Sequence, residues 1–151
     1  MVYARQSDEK WMDRQGDVAM KHLIAVAGVM VGLAGAAAAD PAAGTWKTEP
    51  GDTGGYLHVS VAPCGAAICG IIKTAYDKND VEQSDYEHKG KKMIWDMQAD
   101  GGGSYSDGQI WAADSGKTYS SKMSLKGNAL TVKGCVAGGL ICRGQTWKRV
   151  N

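Results

Sequence analysis

Residues 55–62 read Gly-Tyr-Leu-His-Val-Ser-Val-Ala, so Leu57, Val59 and Val61 alternate with Tyr56, His58 and Ser60. A period of two puts the apolar set on one face of an extended strand and leaves the other face wet. The same kind of segment recurs along the chain, always ended by turn residues. Residues 44–49, 68–76, 92–98, 104–112, 118–125, 129–135 and 141–149 read as further strands. Asp100-Gly-Gly-Gly, Asp114-Ser-Gly and Lys126-Gly-Asn supply tight reversals between them. No stretch after residue 39 has helical periodicity. About eight short strands at regular spacing predict an all-β, antiparallel sandwich or barrel. Closure into a barrel is favoured, because it leaves no unpaired edge strand.

A chain of 151 residues holds one such domain. Its formal net charge of +1 argues against nucleic acid as a partner, since nucleic-acid binders concentrate Lys and Arg.

The strand pattern begins only after an apolar run, Leu23 to Leu33. The run is too short for a membrane span, which takes about 20 residues. It leads into Gly35-Ala-Ala-Ala-Ala39, where Ala37-Ala38-Ala39 forms an A-x-A site with cleavage expected before Asp40. A secretory leader should start positively charged. In residues 1–19, Arg5, Lys10 and Arg14 are outweighed by Asp8, Glu9, Asp13 and Asp17, whereas Met20-Lys21 fits. Residues 1–19 are therefore expected to be a non-native upstream extension with the true start at Met20. Residues 20–39 are expected to be a signal peptide and 40–151 a single domain, periplasmic or secreted, with no membrane span left after cleavage.

All four cysteines lie after the leader, as Cys64/Cys69 and Cys135/Cys142. An even count in an exported small domain reads as disulfides. Of the three possible connectivities, the local one is favoured, since both intervening segments look like turns between strands. Zinc would need closer spacing or a nearby His, and neither is present. No cofactor or metal is expected.

Several segments together resemble a bacterial family of exported proteins, domain of unknown function 2147. They are Gly44-Thr45-Trp46, Cys64-Gly65 with Cys69-Gly70, Asp107-Gly108-Gln109-Ile110, Gly116-Lys117-Thr118-Tyr119 and Gly144-Gln145-Thr146-Trp147-Lys148-Arg149. The chain departs from the pattern at Asn79-Asp80, where Asn-Pro is expected, and at Ser115, where Pro is expected. Both positions lie in loops. The resemblance implies a lipocalin-like, or calycin, small barrel outside the cytoplasm, and no assigned activity. It also implies that Trp46 on the first strand lies under the guanidinium of Arg149 on the last, a cation–π pair at the closed end. The alternative is a plain core Trp46 and a solvated Arg149.

No catalytic constellation stands out. His58 lies on the polar face of its strand with no nucleophile motif beside it, and reads as structural. The polar segment 77–91 carries five carboxylates and His88, but Val81 breaks any EF-hand pattern and lysines offset the charge, so a solvated loop is expected. In residues 92–98, Met93, Trp95 and Met97 alternate with Ile94, Asp96 and Gln98, which predicts a Met–Trp wall on one face. Trp46, Met93, Trp95 and Met97 are the candidate ligand-binding residues. The expected function is non-enzymatic binding of a small apolar or amphipathic ligand inside the barrel. The alternative is an envelope interaction or stability module with a filled core that binds a protein or glycan.

Overall fold

The computed structural model describes residues 38–151; the apolar run and residues 1–19 lie outside them. Eight antiparallel strands follow one another: β1 (Gly44–Lys47), β2 (Tyr56–Cys64), β3 (Ala67–Tyr76), β4 (Lys92–Gly101), β5 (Ser104–Trp111), β6 (Thr118–Lys126), β7 (Ala129–Val136) and β8 (Ile141–Arg149). Each pairs with the next, and β8 returns to pair with β1, so the sheet is a closed barrel. Among the described residues the only helix is a single 3-10 turn, Ala137–Gly139, and no helix is long and apolar enough to cross a membrane.

The period of two sends alternate side chains inward. Val59, Val61, Ile72, Ile94, Leu130 and Trp147 are almost wholly removed from water. The reading of β4 needs correction. Ile68 pairs with Met97 but Gly70 pairs with Ile94, so β4 carries one extra residue between these points. Asp96 absorbs it with φ 57°, a left-handed conformation that short polar side chains tolerate. The bulge turns Ile94 and Met97 into the core, both fully buried, and sets Trp95 beside Gln109 on the other face of the sheet, half-buried. The expected single wall of Met93, Trp95 and Met97 is therefore not formed. Opposite this bulge, Gly108 leaves room for Met97: a Cβ there would collide with the methionine sulfur.

Both disulfides join neighbours in sequence, Cys64 to Cys69 and Cys135 to Cys142. Cys135 and Cys142 face each other directly in the β7–β8 register, with Cα atoms 4.1 Å apart. The first bridge lies at the β2–β3 turn, where the two strands remain paired from Cys64–Ala67 to Tyr56–Tyr76. Replacing Cys64 and Cys69 together by serine should cost about 2 kcal/mol, the chain entropy of so short a loop. Urea denaturation should show a lower midpoint, while the far-ultraviolet spectrum of the native protein stays that of a β-barrel.

Candidate functional site

The two ends of the barrel differ. At one end the segment just before β1 and the end of β8 form a floor. Trp46 is fully buried and its indole Nε1 donates to the Ala42 carbonyl at 2.9 Å. Register places Trp46 beside Arg149, whose guanidinium carbon lies 4.2 Å from the ring centroid. The guanidinium also donates from Nη1 to the Ala43 carbonyl at 2.8 Å and from Nη2 to the Pro41 carbonyl at 2.7 Å. The Tyr105 hydroxyl donates to the Asp40 carboxylate at 2.7 Å. Burial and that bond push the Tyr105 pKa up to about 12, so the phenol keeps its proton at neutral pH. The residues before β1 are thus strapped across the end, and Val61, Ile68, Met97, Met123 and Leu130 add to the buried cluster of this part of the barrel.

The other end is open. A cavity of about 1240 Å³ enters between the β1–β2, β3–β4, β5–β6 and β7–β8 connections. That volume includes the open mouth and exceeds the ~300–1,000 Å³ of a typical small-ligand site, so it has room for one small ligand. Its inner wall is apolar: Leu57, Ala75, Met93, Ile110, Val132 and Trp147. Gly134 also lines it, and the absence of a side chain there keeps the wall thin between Ile110 and Tyr119.

Strand β8 supplies the polar side. Its inward positions run Arg143, Gln145, Trp147, Arg149, set by register against Gly134, Val132 and Leu130 of β7. Trp147 Nε1 donates to Gln145 Oε1 at 3.1 Å, which satisfies a buried indole from within the cavity wall. Arg143 stands at the mouth and forms no ion pair among the described residues. The site therefore grades from an apolar interior to a polar, hydrogen-bonding rim of mixed charge, with Arg143 on the β8 side and Glu49, Asp52, Asp77, Lys78 and Asp114 around the rest of the mouth, a pattern suited to an amphipathic molecule.

Of the four residues expected to touch a ligand, Met93 lines the cavity. Trp46 and Met97 are fully buried outside its lining, and Trp95 lies on the other face of β4. Arg143 and Gln145 escaped the sequence reading. The period of two in residues 141–149 was the available signal, but the inner face of β8 is polar at the mouth and so lacks the apolar alternation that marks a core strand.

The other candidates are occupied by structural work. His58 packs 4.7 Å from Tyr76 and 5.8 Å from Tyr56, ring centre to ring centre. Burial lowers its pKa, and Lys47 and Lys73 lower it further, which favours the neutral imidazole. In the 77–91 segment, Asp77 Oδ1 accepts from the backbone N–H groups of Asn79 and Val81 and folds the loop upon itself. Among the described residues, no three His, Cys, Asp or Glu side chains are grouped to hold a metal ion.

Comparison with known proteins agrees with this architecture. The family model described as "Uncharacterized protein conserved in bacteria (DUF2147)" matches residues 44–149, from the start of β1 to the end of β8. Among solved structures, protein HP1028 from Helicobacter pylori, described as belonging to the lipocalin family, is similar with a TM-score of 0.57. The likeness covers 72% of this chain and 82% of that one at 16% identity, and it is a likeness of fold. No curated protein matches the chain.

Proposed function

Since the chain belongs to the DUF2147 family of uncharacterised bacterial proteins, whose description names no activity, we propose from the barrel itself that it binds one small apolar or amphipathic molecule through its open end, without transforming it. The observation that carries this reading is the cavity behind the mouth, which has an apolar interior and a polar rim on β8. Burying an alkyl or aromatic group there is worth about 25 cal/mol per Å² of apolar surface, enough to hold a small ligand. Arg143 and Gln145 at the mouth then orient a polar head towards water. Met93 touches the guest, while Trp46 and Met97 act only through the packed region they build. Binding takes place in the periplasm or after secretion; the two disulfides support that compartment, because they persist where the surroundings are oxidising.

The filled-core alternative accounts for the strapped end but not for the open one. Titration with the neutral fluorophore N-phenyl-1-naphthylamine separates the two. Trp147 lies in the cavity wall, so its emission should be quenched with saturable, one-site behaviour. Quenching that never saturates, or that is absent, would contradict the carrier reading.

A further inference from the structure

Charge is segregated along this barrel. No carboxylate side chain occurs after Asp114, whereas Lys117, Lys122, Lys126, Lys133, Arg143 and Lys148 all do. Between residues 40 and 114 the balance reverses, and carboxylates outnumber lysines two to one. Because β6, β7 and β8 are neighbours, Lys122, Lys126, Lys133 and Lys148 share the outer face of one wall. Lys122 and Lys133 are direct register partners on it, a like-charge pair that costs stability within the protein.

The tip of the same wall is apolar and exposed. Leu140 is 87% exposed, Ile141 62% and Val136 46%. Val136 and Ile141 are register partners and both line the mouth. The Cys135–Cys142 bridge pins the arms of this tip directly behind them. Ala137, Gly138 and Gly139, all at positive φ, fold it into one compact turn. The Lys122 ammonium lies 3.7 Å from where a Cβ on Gly139 would stand, so a cation sits against the turn.

We propose that this tip and the basic wall of β6, β7 and β8 dock the protein on an anionic phospholipid bilayer. Leu140, Ile141 and Val136 enter the headgroup layer, and Lys122 and Lys133 meet lipid phosphates. Apolar insertion and electrostatic attraction to an anionic surface add. The docked orientation sets the β7–β8 side of the cavity mouth against the membrane, because Val136 and Ile141 belong to both, and holds the side that carries Glu49, Asp52, Asp77 and Asp114 away from the anionic surface.

Cosedimentation of the protein with vesicles tests this. It should bind vesicles of equimolar phosphatidylcholine and phosphatidylglycerol, bind phosphatidylcholine alone far less, and release as salt rises. Leu140→Asp, and separately Lys122→Glu with Lys133→Glu, should each weaken binding by at least about tenfold. All three side chains lie outside the buried core, so the variants should keep the wild-type tryptophan emission. Leu140→Asp should also keep N-phenyl-1-naphthylamine binding in the absence of vesicles, which separates failure of docking from failure of the cavity. The proposal is overturned if the wild type ignores both vesicle types, binds them equally, or binds as well with Leu140→Asp. It is also overturned by a wild-type dimer that Leu140→Asp dissolves while vesicles are ignored, which would assign the tip to a second copy of the chain.

Discussion

Trp46→Ala should destabilise the barrel by about 3–5 kcal/mol, the range for removing a fully buried large aromatic side chain. The indole is wholly excluded from water, and its N–H holds the Ala42 carbonyl. Its loss opens a cavity in the packed end and also frees the strap from residue 40 to β1. Arg149→Ala should cost less, about 1–3 kcal/mol, because it removes the cation–π contact and two charged hydrogen bonds at a partly exposed site. Urea unfolding followed by far-ultraviolet circular dichroism gives both values. If Arg149→Ala proved the more damaging of the two, the strap and not the indole would be what holds the closed end.

Gly134→Leu should lower the affinity for N-phenyl-1-naphthylamine by at least about tenfold, since a leucine side chain would occupy the space the probe needs. Gly134 lines the cavity, and its backbone does not need a glycine conformation. A Cβ there meets Ile110 Cγ2 and Tyr119 Cβ at 3.4 Å, at the near limit of ordinary contact. The variant should therefore fold. Fluorescence titration reads the affinity, and a thermal melt close to wild type shows that the loss is one of space. Undiminished binding would place the probe outside the barrel.

The strand order was legible because the signals were local. Alternation in residues 55–62, glycine-rich turns and close cysteine pairs each depend on neighbours in sequence, and the barrel follows from pairing each strand with the next. The β4 face was not legible. Asp96 takes a left-handed backbone where β3 and β4 shift register, and that shift belongs to the pairing of two strands, which alternation within one strand does not reveal. The expected roles of Met93, Trp95 and Met97 parted at two register shifts, one between Lys92 and Ile94 and one at Asp96. The binding wall on β8 was hidden for another reason. Arg143 and Gln145 face inward at an open mouth, where polar side chains reach water and apolar alternation has no cause to persist. The basic wall needed only the sequence to be seen, but the fold was required to make three separate stretches into one surface.

The carrier reading is tested most directly by what the protein holds when taken from its own cells. Native mass spectrometry of the protein purified without detergent should show a second species, heavier by the mass of one small lipid or metabolite, that organic solvent strips from the wild type and that Gly134→Leu never acquires. A single mass corresponding to the bare chain, in wild type and variant alike, would contradict it.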